Sequence, residues 1–188
     1  MIAVFGGSFN PVTLAHKKII DRIKKLDKVT KVIIVPVSDK YEKKGLSTNV
    51  NHRIEMLKLV IEKDIIISDF EARQDHQLKS LETLTHFKEE YNDDLALVIG
   101  SDNLEDFKNW YEPEKLMENF YLIVINRQSD LGKIILSNPT LTKYKEKIIE
   151  INDLDLNISS TKAKRELNNQ YLDQRVIDYI LLNDLYTE

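Results

Sequence analysis

Basic and hydroxyl side chains concentrate in two short stretches near opposite ends of the 188-residue chain. The first, GGSFNPVTLAH, carries Thr13 and His16, and the second, ISSTKAKR, carries Lys162 and Lys164. Residues three apart are neighbours on a helix, so Thr13 and His16 would share one face. Imidazole, ammonium and hydroxyl groups are hydrogen-bond donors that suit phosphate oxygens. The two stretches therefore indicate phosphate chemistry.

The first stretch has the form of a strand, a turn and a helix start. Gly6 and Gly7 predict a sharp backbone turn that a ligand can approach closely. Asn10 or Thr13 would cap the following helix, whose amino end favours phosphate through its N–H groups and its dipole. The alternative is a tight turn with a capping threonine and a surface histidine. The stretch matches neither a Walker A loop nor the G-x-G-x-x-G dinucleotide fingerprint.

The second stretch places cations at a predicted helix start. Ser159 or Ser160 would cap this helix, and Lys162, Lys164 and Arg165 follow in its first turns. Positive side chains there oppose the helix dipole, each at a cost of up to about 1 kcal/mol. A bound phosphate would reverse the sign of that interaction, so the arrangement favours an anion site.

The elements that position these stretches follow from the hydrophobic pattern. Short β-branched runs alternate with longer segments of helical period, which is typical of an α/β protein with a parallel sheet. We expect a doubly wound parallel sheet of five or six strands, with ligands beyond the carboxyl ends of the strands. The predicted strands are 2–5, 32–37, 65–68, 95–99, 121–125 and, as a sixth, 148–151. The predicted helices are 14–26, 50–62, 78–91, 113–119, 161–168 and 174–183.

Composition limits the class of protein. The length fits one domain over residues 1–188. No apolar run approaches the roughly 20 residues that a membrane span needs, and the absence of cysteine suits a reducing compartment, so we expect a cytoplasmic protein. A net charge of −4 predicts that the chain binds neither nucleic acid nor a membrane surface through bulk charge.

Both stretches resemble known signatures. GGSFNPVTLAH is similar to the motif G-x-F-x-P-[HT]-x-x-H of the nucleotidyltransferase superfamily, which includes nicotinamide/nicotinate mononucleotide adenylyltransferases, phosphopantetheine adenylyltransferases and cytidylyltransferases. ISSTK resembles the second signature of the mononucleotide enzymes, which binds the ATP phosphates. Many members carry His in place of Thr13, Gly in place of Ala15 and Arg in place of Lys164. The resemblance implies a Rossmann-like nucleotidyltransferase fold.

Two further segments resemble the mononucleotide adenylyltransferases. YEKKGL matches a family run whose first lysine, here Lys43, holds the mononucleotide phosphate. In VIGSDNLEDFKNW, the resemblance implies that Gly100 and Asp102 lie at the adenosine nucleotide and that Trp110 stacks on the pyridine ring. From the residues alone, Asp102 could instead cap a helix and Trp110 could be a packing residue. Arg53 would be structural and pair with a carboxylate.

The resemblance thus implies a complete set of site residues. The catalytic candidates are His16, Lys43, Lys162 and Lys164. The binding candidates are Gly7, Ser8, Phe9, Thr13, Gly100, Asp102, Trp110, Arg127, Ser159, Ser160 and Thr161. No protein metal ligands are expected, because Mg²⁺ would arrive bound to the oxygens of ATP.

The implied reaction is transfer of AMP from ATP to nicotinate or nicotinamide mononucleotide, with release of pyrophosphate, in NAD biosynthesis. Phosphopantetheine adenylyltransferase is one alternative, since it shares the Thr form of the first motif. A nucleotide-binding regulator without turnover is the other. The sequence leaves open the choice between the two mononucleotides and the oligomeric state, a homo-oligomer included.

Overall fold

The part of the chain that the structure describes forms one sheet of six strands, all of them parallel. The computed structural model describes residues 1–40, 47–126, 129–154, 156 and 160–186. The strands occur in the order β3-β2-β1-β4-β5-β6, and every adjacent pair is parallel. This confirms the predicted doubly wound α/β class. The strands are β1 Ile2–Gly7, β2 Lys31–Pro36, β3 Ile66–Ile67, β4 Leu95–Gly100, β5 Tyr121–Ile125 and β6 Ile148–Ile151.

Helices connect the strands and cover both faces of the sheet. They are α1 Leu14–Lys24, α2 Val50–Val60, α3 Ser80–Tyr91, α4 Pro113–Asn119, α5 Leu131–Leu136, α6 Pro139–Lys143, α7 Ser160–Arg165 and α8 Gln174–Leu182. The pattern did not predict α5 and α6, because each is too short to show a helical period. Their caps carry the signal instead, since the side chains of Asp130 and Asn138 accept hydrogen bonds from the first turns.

Alternate residues of β1 serve two separate cores. Ala3 and Phe5 belong to the core on the side of α1, α2 and α8, whereas Ile2 and Val4 belong to the core on the side of α3 and α4. All four side chains are buried. Burial on both faces is typical of parallel strands and explains why β1 reads as a continuous apolar run.

The central position of β1 locates the ligand crevice. β1 pairs with β2 on one side and with β4 on the other. The chain therefore builds the sheet outward through β3 and then returns to start the second half at β4. This reversal is a topological switch point, where ligands of such sheets bind beyond the carboxyl ends. Gly7 and Gly100 are the last residues of the two strands that flank it.

The turn after β1 lies at Phe9 rather than at the two glycines. Gly6 and Gly7 continue the strand and pair with Val35 and Pro36 of β2, so the predicted turn at the glycines is wrong. Phe9 makes the turn, with a φ of 43° in the left-handed region. A Cβ on Gly7 would lie 3.0 Å from Cζ of Phe9. The glycine is therefore needed for the close approach of the buried Phe9 ring.

Candidate active site

Thr13 and His16 form a reciprocal cap at the start of α1. The Thr13 side chain accepts from the backbone N–H of His16, and the backbone N–H of Thr13 donates to Nδ1 of His16 over 2.9 Å. Thr13, not Asn10, is therefore the cap. Because Nδ1 accepts an amide hydrogen, the ring proton is held on Nε2. The cap thus fixes the orientation of the imidazole and makes Nε2 its donor atom.

Aromatic rings hold the His16 side chain from the sheet side. The ring centroid of His16 lies 5.1 Å from that of Phe9 and 6.3 Å from that of Phe5. Phe9 is fully buried and His16 is half-buried. Phe9, predicted as a binding residue, thus supports the imidazole and fills the space above Gly7.

The two signature stretches meet at the loop that precedes α1. Oγ of Ser160, the first residue of α7, donates to the carbonyl of Pro11 over 3.4 Å. The backbone N–H of Leu14, in the first turn of α1, donates to the carbonyl of Tyr171 over 2.9 Å. Segments about 150 residues apart in sequence are thereby joined at the switch point.

The cations of α7 lie over tyrosine rings. Nζ of Lys162 is 5.0 Å from the centroid of the Tyr171 ring, and Nζ of Lys164 is 5.7 Å from that of Tyr186. A hydrogen bond with Tyr171 raises the pKa of the Lys162 ammonium above its ordinary value. Lys162 and Thr161 are exposed, whereas Lys164 is half-buried. The basic character of this helix is therefore retained at neutral pH.

Arg53 joins the loops that follow β1 and β2. Its side chain is fully buried and donates to the carbonyls of Ser8 and Val37, each over 2.8 Å, and to the carbonyl of Thr48 over 3.1 Å. It also pairs with the Asp39 carboxylate over 2.9 Å. The predicted carboxylate partner is confirmed. The contacts with the carbonyls of Ser8 and Val37 are long-range and had no signal in the sequence.

The end of β4 forms the other wall of the switch point. A short 3-10 turn over Ser101–Asn103 follows Gly100, and no side chain caps it. The reading of Asp102 as a helix cap is therefore wrong. A Cβ on Gly100 would overlap Oδ1 of Asp102, so the exposed Asp102 carboxylate folds back over the glycine. Oγ of the buried Ser101 donates to Oγ of Ser129 over 3.1 Å.

Trp110 follows a 3-10 turn, and its side chain is partly packed against the core and partly exposed to solvent. Its ring centroid is 5.1 Å from that of the buried Phe107, at an interplanar angle of 44°. It packs against the core on the α3 and α4 side but stays half-buried. A surface groove of about 360 Å³ runs nearby between Glu82 and His86 of α3 and the segment Tyr111 to Lys115. None of the described site candidates lines this groove.

Three predicted site residues lie outside the described residues: Lys43, Arg127 and Ser159. Their roles stay predictions. In the described ranges, no group of three or more His, Asp or Glu side chains could hold a metal ion. The same ranges contain no helix with the length and apolar character needed to cross a membrane.

A half-buried carboxyl group lies beside α3. The Thr83 hydroxyl donates to the Glu71 carboxylate over 2.6 Å. Burial raises the pKa of the Glu71 carboxyl above its ordinary value, and the hydrogen bond from Thr83 opposes that rise. The pKa of the Glu71 carboxyl is therefore higher in the folded protein than in the unfolded chain.

The sequence reasoning missed Tyr171 and Tyr186 as parts of this region. Both lie after α7 in the chain and contact its two lysines. Tyr186 also donates to Oδ1 of Asn10 over 2.8 Å. In the sequence, Tyr186 is visible only as a tyrosine that follows the apolar run of α8, and this position does not indicate which residues it contacts.

The doubly wound parallel sheet, with basic and hydroxyl groups gathered at its switch point, defines a Rossmann-like nucleotidyltransferase. The model of the cytidylyltransferase-like family matches residues 4–166. The chain belongs to this family and, within it, to the nicotinate-nucleotide adenylyltransferases.

Similarity to individual proteins extends over nearly the whole chain. A probable nicotinate-nucleotide adenylyltransferase of Acholeplasma laidlawii is 35% identical over 193 aligned positions, which cover 100% of this chain and 98% of the relative. The nicotinic acid mononucleotide adenylyltransferase of Plasmodium falciparum complexed with NaAD has a TM-score of 0.80 at 26% identity, covering 98% of this chain and 96% of that one. Its complex with APC has a TM-score of 0.79 with the same identity and coverage.

Proposed function

We propose that the chain transfers the AMP group of ATP to the phosphate of nicotinate mononucleotide, giving NaAD and pyrophosphate for NAD biosynthesis. The observation that carries the proposal is the contact of Ser160 with the carbonyl of Pro11, which joins the two signature segments at the switch point. The names of the relatives favour nicotinate over nicotinamide mononucleotide as the acceptor. The same proposal covers residues 1–188 as one nucleotidyltransferase domain that acts in the cytoplasm.

The reaction needs alignment more than it needs a base. An oxygen of the mononucleotide phosphate attacks the α-phosphorus of ATP, and the bond from that phosphorus to the oxygen bridging to the β-phosphate breaks. The electron pair leaves with pyrophosphate. A phosphate monoester with a second pKa near about 6 is mostly dianionic at neutral pH, so no group has to remove a proton from it. The protein must hold two anions together and stabilise the leaving charge.

His16 and the lysines of α7 supply that stabilisation in this proposal. Nε2 of His16 donates to the triphosphate, because Nδ1 is engaged by the backbone N–H of Thr13. Lys162 and Lys164 contribute positive charge from α7, whose first residue contacts the loop before α1. Lys164 provides charge without the bidentate fork of the arginine found in many relatives.

The remaining site residues divide between the two substrates. Lys43 anchors the attacking phosphate. Asp102 contacts the adenosine nucleotide from the end of β4, and the exposed part of Trp110 stacks on the pyridine ring. The nucleotide also contacts Arg127 and three segments that carry the other binding candidates. These candidates are Gly7, Ser8, Phe9 and Thr13 in the first segment, Gly100 in the second, and Ser159, Ser160 and Thr161 in the third.

Magnesium enters this reaction with ATP as part of the substrate. Mg²⁺ prefers oxygen ligands and commonly binds through the phosphates of a nucleotide. Within the described part of the chain the donor set does not fit a dedicated metal centre, since no cluster of three acidic or histidine ligands occurs there. No step of the proposal depends on a protein-bound metal.

Measurement of pyrophosphate release tests the substrate assignment. The purified chain is incubated with MgATP and, in parallel, with nicotinate mononucleotide, nicotinamide mononucleotide or phosphopantetheine. We expect the largest kcat/KM with nicotinate mononucleotide and formation of NaAD as the adenylylated product. Release with phosphopantetheine alone would assign the alternative transferase, and tight ATP binding with no release from any acceptor would favour the regulator.

A further inference from the structure

The loop between β1 and α1 is held by side chains from distant parts of the chain. It contains Phe9, whose φ of 43° lies in the left-handed region. Such a backbone conformation is strained for a residue other than glycine and persists only when its surroundings hold it. Arg53 holds the carbonyl of Ser8, and Ser160 holds the carbonyl of Pro11. A third contact comes from Tyr186.

Tyr186 reaches this loop from the segment after α8. Its hydroxyl donates to Oδ1 of Asn10 over 2.8 Å, and the Thr48 side chain hydrogen-bonds to the same hydroxyl. Asn10 is 4% exposed and Thr48 is 6% exposed. Burial raises the pKa of Tyr186 to about 12, so the hydroxyl stays protonated and donates at neutral pH. A buried polar cluster of this kind is costly to leave partly unpaired.

The aromatic ring of Tyr186 contacts the other signature segment. Nζ of Lys164 lies 5.7 Å from the ring centroid, within the range of a cation–π contact. One tyrosine thus touches both Asn10, two residues after Ser8 in the loop, and one of the basic residues of α7.

We propose that Tyr186 is a positioning residue for ATP, which sets the loop through Asn10 and the ammonium of Lys164 through its ring. This inference rests on the proposed function, in which the loop and α7 hold the triphosphate. In the proposed function the attacking mononucleotide is anchored by Lys43, and not by the loop or α7. Loss of Tyr186 contacts should therefore weaken the use of ATP and leave the apparent affinity for the mononucleotide unchanged.

Two substitutions separate the hydroxyl from the ring. Tyr186→Phe removes the hydrogen bond to Asn10 and keeps the ring beneath Lys164, whereas Tyr186→Leu removes both contacts. The matched control is Tyr179→Phe in α8, because the hydroxyl of Tyr179 contacts Nδ1 of His52, which is not among the site candidates. Circular dichroism and the melting temperature establish that each variant folds.

Steady-state kinetics with each substrate varied in turn give the test. We expect the KM for ATP to rise about tenfold in Tyr186→Phe, and kcat/KM for ATP to fall about 100-fold in Tyr186→Leu, since a small misplacement of a positioning group can cost that much. The KM for nicotinate mononucleotide stays within about twofold in both variants. Tyr179→Phe matches the wild type.

Several results would overturn the inference. Equal kinetics for Tyr186→Phe and Tyr179→Phe would do so, and so would parallel changes in both KM values that follow the loss of melting temperature. If the wild-type chain releases no pyrophosphate, the proposed function fails. Calorimetric titration with MgATP then tests the positioning role on its own. A larger dissociation constant for MgATP in Tyr186→Phe than in the wild type would support that role, and an unchanged dissociation constant would refute it.

Discussion

The backbone N–H of Thr13 and Nδ1 of His16 are 2.9 Å apart and form a hydrogen bond at the first turn of α1. This contact assigns different tasks to the two ring nitrogens. Nδ1 belongs to the helix cap and contributes to stability, whereas Nε2 is the donor that the proposed mechanism directs to the triphosphate. The two tasks can be separated by substitution.

We predict that two substitutions of His16 separate its effect on stability from its effect on activity. His16→Asn places an amide oxygen near the position of Nδ1, so the cap and the melting temperature are kept while kcat falls about 100-fold or more, the usual cost of losing one charge-stabilising donor. His16→Leu loses both the acceptor for the backbone N–H of Thr13 and the donor at Nε2. It should be no more active than His16→Asn and should melt about 2 to 4 °C below the wild type, as expected for a loss of about 1 kcal/mol.

Assays of kcat and thermal melting on both variants check this prediction. The account requires that both variants lose activity and that only His16→Leu loses stability. If His16→Asn were as active as the wild type, Nε2 would have no role in the reaction.

Arg53 should be a major determinant of stability. Arg53→Met leaves the carbonyls of Ser8, Val37 and Thr48 without their donor in a buried region. We expect the free energy of unfolding to fall by about 3 to 5 kcal/mol, measured by urea denaturation.

Lys58→Met on the same helix is the control for Arg53. Lys58 pairs with Glu55 at an exposed position, and such pairs contribute about 0 to 1 kcal/mol. A loss below about 1 kcal/mol in Arg53→Met would mean that other contacts hold the two loops together.

The two adjacent glycines of β1 should respond differently to alanine. A Cβ on Gly7 would lie 3.0 Å from Cζ of Phe9, whose ring is fully buried. Overpacking of this kind costs about 1 to 3 kcal/mol, so Gly7→Ala should unfold at lower urea concentration. A Cβ on Gly6 has its nearest neighbour at 4.0 Å, and Gly6→Ala should change stability by less than about 0.5 kcal/mol. Equal stability of the two variants would show that Phe9 does not depend on Gly7.

Glu71 should make stability depend on pH in a predictable direction. Burial raises the pKa of its carboxyl in the folded state above the ordinary value of 4.5, so the folded protein binds this proton more tightly than the unfolded chain does. Stability therefore decreases as pH rises from that ordinary value through the raised folded value. Glu71→Gln removes this titration. Its melting temperature relative to the wild type should increase between pH 4 and pH 7.

Glu114→Gln provides a control of opposite sign. The Lys143 ammonium lowers the pKa of Glu114, so this carboxylate stabilises the fold above its ordinary pKa and the stabilisation is lost as pH falls. The melting temperature of Glu114→Gln relative to the wild type should therefore decrease between pH 4 and pH 7. A pH-independent difference for Glu71→Gln would contradict the buried position of Glu71.

The sheet could be predicted because its strands carry a strong local signal. The apolar run of β1, buried on both faces, and the β-branched runs of the other strands define the alternation of strands and helices. The short helices α5 and α6 could not be predicted from periodicity. Their caps at Asp130 and Asn138 are single residues that also occur in turns.

The site could be predicted only where its residues lie together in the sequence. Thr13 and His16 are one helical turn apart, so their proximity follows from local geometry. The contacts of Arg53 with Ser8 and of Tyr186 with Asn10 join residues 45 and 176 positions apart, and they depend on how the chain crosses the sheet. The turn at Phe9 was missed for a related reason. Distant contacts hold Phe9 in its conformation, whereas the two glycines before it favoured a turn at their own positions.

The central claim is that His16 and the basic residues of α7 hold one triphosphate, and a double-mutant cycle tests it most directly. The measured quantity is kcat/KM for ATP in the wild type, His16→Asn, Lys162→Met and the double variant. The account predicts that each single substitution lowers this value by about tenfold or more and that the double variant loses less than the product of the two losses, because both groups act on the same substrate charge. A Lys162→Met variant within about twofold of the wild type, or losses that simply multiply, would contradict it.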